Sequence, residues 1–230
     1  MRHIRLPHPT PAIRTGSAVA VAVGIYGISV GALGVAAGLS VWQSCALSLL
    51  MFTGGSQFAF IGVVAAGGSG AAAWAAATLL GLRNLVYGAQ LKALIRPRSA
   101  LVVPMAHLTI DESTAVAMSQ DEHDEQVRGF WTTGIGVFVL WNLFTLAGAL
   151  AGNAMGDPRR WGLDGAAVAA FLGLLWPRLT GRDPIAIAVV AALVTTVAVP
   201  LLPAGIPVLV AALATTLVWC LRGRRGAVAS

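Results

Sequence analysis

The sequence predicts an all-α integral membrane protein, and three observations lead to that fold class. No charged side chain occurs between Arg14 and Arg83. Hydrophobic residues make up 57% of the chain and charged residues 10%, against about a quarter in soluble domains. Several apolar segments are about as long as a bilayer-crossing helix, roughly 20 residues. A charge at the centre of a bilayer costs roughly 3 kcal/mol or more, so a membrane explains the uncharged run.

Apolar segments follow one another along almost the whole chain. Each is predicted to be a helix, because in a bilayer the backbone must satisfy its hydrogen bonds within the segment. The segments cover residues 17–38, 41–67, 70–93, 129–152, 163–178, 184–202 and 205–221. The fifth is short for a crossing helix at about 1.5 Å per residue. We therefore expect one membrane domain over residues 1–230, with six to seven hydrophobic segments.

Two stretches outside these segments carry much of the charge. Residues 1–14 are basic, and we expect a cytoplasmic N-terminus followed by a retained first span, since no convincing cleavage site follows. Residues 96–128 are expected to form an extramembrane loop that contains a short amphipathic helix. The net charge of +6 does not require nucleic acid, because arginines beside membrane spans set topology and contact membrane lipid.

The segment 41–67 is predicted to be broken around residues 53–57. It contains Phe-Thr-Gly-Gly-Ser-Gln-Phe, from Phe52 to Phe58, and glycine weakens a helix. If the segment enters the membrane, breaks and returns, a cytoplasmic N-terminus places 12 basic residues inside and two outside. Seven full spans with the N-terminus outside leave nine inside and five outside. The preference for basic residues on the cytoplasmic side favours the re-entrant form.

The break is a candidate substrate-binding element. Backbone N–H groups freed at the start of the second half-helix suit a carboxylate, and neutral polar side chains add hydrogen bonds. The candidate residues are Thr53, Gly54, Gly55, Ser56 and Gln57. The alternative is close helix packing by glycine and serine. Gln57 favours a polar site, because a buried amide needs partners and adds nothing to close packing.

Arg83, Asn84 and Tyr87 are candidates for the same lining. Arg83 lies about two-thirds along the segment 70–93, and Tyr87 shares its helix face at i, i+4 spacing. There Arg83 is placed to pair with a substrate carboxylate or a buried acid. The alternative is an arginine that extends to the lipid headgroups and acts as an anchor.

An acidic pair, Asp111 and Glu112, stands between apolar neighbours. Either carboxylate could accept a proton or a substrate ammonium group, which makes the pair a candidate for proton coupling. The alternative is a helix start, with Thr109 as the capping residue and Glu112 three residues further on. No cluster with metal-ligand spacing occurs, so no metal or cofactor is expected.

In this order, the motifs resemble the AzlC family, the large subunit of two-component branched-chain amino acid exporters. Phe52–Phe58 resembles the family's Gly-Ala/Gly-Ser-Gln-Phe element, and Leu82–Gly88 its Leu-Arg-His-Leu-Leu-Tyr-Gly element. Leu108–Ser113 resembles its Leu-Thr-Asp-Glu-Ser/Thr element, with Ile110 inserted before the acidic pair. Asn84 stands where the family usually has histidine. A later stretch, residues 166–175, is similar more weakly.

The resemblance implies a function, a partner and a location. The activity would be export of valine, leucine and isoleucine, and also methionine, driven by the proton motive force. A small AzlD-type membrane subunit would be the partner, in the cytoplasmic membrane of a bacterium. The alternatives are an amino acid importer, a passive channel, or a structural membrane subunit that is inactive alone. An enzyme is not expected, because the four histidines (His3, His8, His107 and His123) all lie outside the predicted spans.

Overall fold

The computed structural model describes residues 10–154, 172–173, 175–176 and 179–228, and this part of the chain contains helices and no strand. Most of the predicted segment 163–178 and of the weaker family element therefore lies outside the described residues. The helices are α1 Pro11–Gly24, α2 Gly27–Ala36, α3 Val41–Leu50, α4 Gly54–Ala65, α5 Gly70–Gly81, α6 Arg83–Ile95, α7 Val102–His107, α8 Asp111–Met118, α9 His123–Ala154, α10 Arg182–Ala198 and α11 Ile206–Val228.

Two stretches of the described chain are long and apolar enough to cross a membrane. Pro11–Ala36 has 26 residues and a mean hydropathy of 2.1, and His123–Ala154 has 32 residues and a mean hydropathy of 1.8. At about 1.5 Å per residue, both exceed the roughly 30 Å of a bilayer core. The all-helical fold is as expected, whereas the predicted number of six to seven spans stays a prediction.

The predicted break in the second apolar segment is present. Helix α3 ends at Leu50, Met51 leaves the helical backbone region (φ −103°, ψ 65°), and α4 begins at Gly54. The Thr53 N–H bonds to the Met51 carbonyl oxygen at 2.7 Å, which closes a three-residue turn around Phe52. The break therefore falls just ahead of the glycine pair rather than within it.

The chain divides into two compact units, and it passes between them at this break. The first unit contains α1, most of α2, α3, α6, α7, α8 and α9. The second contains α4, nearly all of α5, α10 and α11. The chain enters the second unit between Thr53 and Gly54 and leaves it again between Leu80 and Gly81.

In the first unit, α1 and α2 lie along α9 with their backbones in close approach. A Cβ on Gly16 would be 2.7 Å from Thr133 Oγ1, and a Cβ on Gly31 would overlap the carbonyl oxygen of Thr145. Small residues allow such approaches between helices. Because Gly16 faces Thr133 and Gly31 faces Thr145, the two helical stretches run in the same direction.

The shorter helices of the first unit occupy different levels along α9. Helix α3 runs against its second half, where Ser48 Oγ contacts Thr145 Oγ1 at 3.4 Å. Helix α8 packs on its first half, where a Cβ on Gly134 would lie 3.1 Å from Leu108 and one on Gly129 would lie 3.1 Å from Val116. Helices α7 and α8 thus form a hairpin beside α9.

This hairpin differs in part from the expectation for residues 96–128. The sequence predicts an extramembrane loop with a short amphipathic helix, whereas the structure contains two short helices, α7 and α8, packed alongside α9. The position of this stretch outside the membrane stays a prediction. The hairpin buries Leu108, Ile110 and Val116, which supply the apolar side of the contact. The ring of His107 contacts the ring of Phe138, midway along α9, with centroids 5.5 Å apart. The sequence places His107 outside the predicted spans. In the structure its ring nevertheless packs against the long helix α9.

In the second unit, α4 and α5 pack through small residues. Ala59, Val63, Ala72, Ala73 and Ala76 form the buried cluster between them, and Phe60 contacts Trp74 at its edge. Helices α10 and α11 pack against each other. Their connection includes Gly205, where a Cβ would come within 2.9 Å of Ala72, so it rests on the α4–α5 pair.

Candidate functional site

Arg83 and Asp111 form an ion pair inside the first unit. Nη2 of Arg83 lies 3.1 Å from Oδ2 of Asp111, and the two side chains are 29% and 26% exposed. Arg83 is the first residue of α6 and Asp111 the first residue of α8. The sequence motifs that contain them are separated along the chain, and the fold brings their charges together. Of the two partners predicted for Arg83, the structure provides the acid.

The turn before Asp111 explains how its side chain is held. Ser113 Oγ accepts a hydrogen bond from the Ile110 N–H at 3.1 Å and donates one to the Leu108 carbonyl oxygen at 2.7 Å. The Thr109 hydroxyl donates back to the Met105 carbonyl oxygen at 2.8 Å. The alternative in which Thr109 caps the helix is therefore wrong. Ile110 is the capping position, and Asp111 directly follows a turn fixed by internal hydrogen bonds.

Unsatisfied polar atoms lie beside the ion pair. Arg83 Nε, a donor, and Asn84 Oδ1, an acceptor, are both buried and have no hydrogen-bond partner. A buried polar atom without a partner costs about 1–3 kcal/mol. Tyr87 is half-buried one turn further along α6, and Glu112 is half-buried next to Asp111. Arg83 therefore keeps one buried N–H donor that a bound ligand could satisfy.

The ion pair belongs to the part of the first unit that lies beside the middle of α9. Phe52, in the break, packs edge-on against Phe138 with ring centroids 5.0 Å apart, and its ring lies 6.0 Å from that of His107. Phe138 is the tenth residue of the apolar stretch 129–152, hence about 14 Å along it. The end of α3 and the tip of the α7–α8 hairpin thus meet at this level.

The remaining predicted residues divide between the two units. Thr53 is half-buried in the first unit, next to the aromatic contact. Gly54, Gly55, Ser56 and Gln57 begin α4 in the second unit, where Ser56 and Gln57 are 1% and 0% exposed. Ser56 Oγ donates to the Ala77 carbonyl oxygen at 2.7 Å, so its hydroxyl links α4 to α5. For Ser56 the packing alternative is supported, and a common lining with Arg83 stays a prediction.

Sequence reasoning missed the aromatic cluster of Phe52, His107 and Phe138. Its members come from a break, a hairpin and a long helix, and each alone resembles an ordinary apolar or surface residue. The sequence signal that could have indicated the cluster is Phe52, a large side chain two residues before a glycine pair. A glycine pair permits a sharp change of direction, and a bulky neighbour then needs a place to pack.

Comparison with known families agrees with these motifs. The family described as AzlC protein matches residues 18–155, more than half of the chain, and the match includes the break, Arg83 and Asp111. No curated protein and no solved structure gives a match. The family is one of membrane proteins related to branched-chain amino acid transport rather than of enzymes. The chain belongs to the AzlC family.

Proposed function

We propose that this protein exports valine, leucine and isoleucine, and also methionine, across the cytoplasmic membrane of a bacterium, driven by the proton motive force. A small AzlD-type membrane subunit is its partner in this proposal. Family membership supports amino acid transport in general. The Arg83–Asp111 ion pair is the observation that carries the more specific mechanism.

The substrate carboxylate competes with Asp111 for Arg83 in this mechanism. A guanidinium group can bind a carboxylate through two parallel hydrogen bonds. Arg83 engages Asp111 through Nη2, while its Nε is buried without a partner and is available to a second carboxylate. Asn84 Oδ1, on the next residue of α6, is a second buried polar atom without a hydrogen-bond partner.

Asp111 couples this exchange to protons. The substrate carboxylate pairs with Arg83, which avoids the cost of an unpaired arginine inside the membrane, and the ionised Asp111 binds the substrate ammonium group. A proton that binds Asp111 removes this negative charge, so the ammonium group is released. The substrate can bind again only after the proton has left Asp111. Proton and substrate thus compete for the same carboxylate, as antiport requires.

Efflux measurements test this function. Cells that express the chain with its small partner, and that are loaded with valine, should release it faster when a proton gradient is imposed. Asp111→Asn, which resembles the protonated side chain, should remove that dependence when efflux is normalised to the protein level. Uptake instead of release would identify an importer, and flux that ignores the gradient a channel. Full activity without the partner would contradict the two-component form.

The orientation is tested separately. Helices α1–α2 and α9 run in the same direction, so residues 11 and 123 start on the same side if both stretches cross. This supports the re-entrant form, which places both starts in the cytoplasm. Single cysteines at Ser40 and Ser69, with Cys45 and Cys220 replaced, should then both react with an impermeant thiol reagent from the periplasmic side. Labelling of only one would show that residues 41–67 cross.

A further inference from the structure

An open cleft of about 510 Å³ lies between the end of α6 and the start of α9, away from the Arg83–Asp111 pair. Its lining includes Arg96, Arg98, Arg128, His123 and Trp131. One acidic residue, Asp124, is part of the lining. Three arginines and a tryptophan therefore line a space large enough for a phosphate-containing group.

Two of the three arginines are available to an anion. Arg128 is engaged by Glu125, with Nη1 and Oε1 2.6 Å apart. Arg96 and Arg98 are exposed and form no ion pair with any residue that the structure describes. Arg96 also adopts the left-handed backbone conformation (φ 50°, ψ 59°) at the end of α6, where glycine is the usual residue. An arginine thus occupies a backbone conformation that favours glycine.

Apolar surface continues from the same cleft. Leu101 lines it and is 42% exposed, and Val103, at the start of α7, is 77% exposed. Trp131 adds an aromatic ring, and such rings are common at the level of lipid headgroups. A free phosphate would use the arginines alone, whereas a phospholipid has a charged phosphate and acyl chains that would cover the valine and leucine.

We propose that this cleft binds the headgroup phosphate of an anionic phospholipid, with Arg96 and Arg98 as its ligands and Leu101 and Val103 beside the acyl chains. Both topologies that place most basic residues inside the cell put this cleft on the cytoplasmic side. Basic pockets on that side of membrane proteins are suited to anionic headgroups. The alternative to lipid binding is that these arginines only set the membrane topology.

Lipid binding to the purified full-length protein tests the proposal. The probe is phosphatidylglycerol in nanodiscs or mixed micelles, with phosphatidylcholine as the neutral reference. Arg96→Gln with Arg98→Gln should weaken phosphatidylglycerol binding about 30-fold, from a contribution of about 1 kcal/mol per basic residue. The matched control is Arg14→Gln with Arg182→Gln, which removes the same charge from two other exposed helix ends and should change binding less than threefold.

Three results would overturn the proposal. These are wild-type binding by the Arg96/Arg98 variant, an equal loss in the control pair, or displacement of the lipid by millimolar inorganic phosphate, which would identify a site for free phosphate. Arg96→Gly separates binding from folding. It relieves the left-handed conformation, so it should keep or raise the melting temperature while it weakens lipid binding. A variant that loses both would mean that Arg96 serves the fold.

Discussion

Two interruptions between helices, Met51–Thr53 and Leu82, hold polar residues in different ways. At the first, Met51–Thr53, the chain is fixed by Phe52 against Phe138, and the polar residues that follow are neutral and fully buried. At the second, Leu82, one residue interrupts the helices and the next residue is Arg83, which is about one-third exposed and paired with Asp111. The first break is fixed by packing, and the second by charge.

This difference indicates where function and stability should separate. A fully buried serine that donates its hydroxyl to a neighbouring carbonyl has little left to offer a ligand. An arginine that retains a buried, unpartnered Nε has a donor to offer. We therefore expect substitutions at the second break to reduce transport more than stability, and those around the first to do the reverse unless they fill space needed by the substrate.

The largest effect is expected at the ion pair. Arg83→Ala should lower valine efflux at least about tenfold, equivalent to about 1.4 kcal/mol, and Arg83→Lys should also be poor because lysine lacks the planar fork. Asp111→Ala should lower the protein level, since it leaves Arg83 without its partner. The double variant should recover protein level but not efflux. Recovery of efflux in the double variant would make the pair structural.

The next effect is expected at the glycine pair. Gly55 is buried at the start of α4, so Gly55→Leu should abolish efflux. Gly70→Leu is the matched control in the same unit, because no atom lies within 4 Å of its added Cβ. It should lower efflux less than twofold. Equal efflux by both variants would show that no space beside Gly55 is used by the substrate.

The aromatic contact of the first break should act through stability. Phe52 is 6% exposed, so Phe52→Ala should lower the free energy of unfolding by about 3 kcal/mol, seen as a lower melting temperature in detergent. Phe60→Ala removes a half-buried ring in the second unit and should cost less. A larger loss at Phe60 would mean that Phe52 does not fix the break.

The smallest effect is expected at Ser56. Ser56→Ala removes one buried hydrogen bond, to the Ala77 carbonyl oxygen, and should cost about 1 kcal/mol of stability with near-normal efflux. Ser56→Val would test the same site with added bulk, which small residues between α4 and α5 should not accept. If Ser56→Ala removed efflux at an unchanged melting temperature, the neutral break would be a binding element after all.

Much of the fold could be predicted from periodicity and composition. The break before Gly54 could be predicted because glycine weakens helices. Arg83 could be predicted as a site residue because a charge is costly in a membrane. The course of residues 96–128 could not be predicted, because the apolar run at its start, residues 100–106, is too short to indicate a membrane helix. Its burial depends on the glycines of α9 that receive it, such as Gly134.

The partners within the site were equally hard to foresee. Pairing of Arg83 with Asp111 depends on the tertiary packing of α6 and α8 beside α9, which no local pattern encodes. The sequence narrowed the choice to two classes of partner for Arg83, and only the packing selects between them. Asp111 itself was already a candidate, from its position between apolar residues.

The backbone contact between α1–α2 and α9 also limits which parts of the first unit can move. A one-residue shift along the axis, about 1.5 Å, would set side chains where Gly31 and Gly148 now face carbonyl oxygens. These close contacts therefore prevent the helices from sliding along each other in either direction. Within this unit, a rearrangement that opens and closes the path to Arg83 must then come from α3, α6 and the α7–α8 hairpin. Helices α1, α2 and α9 would stay in place while these elements move.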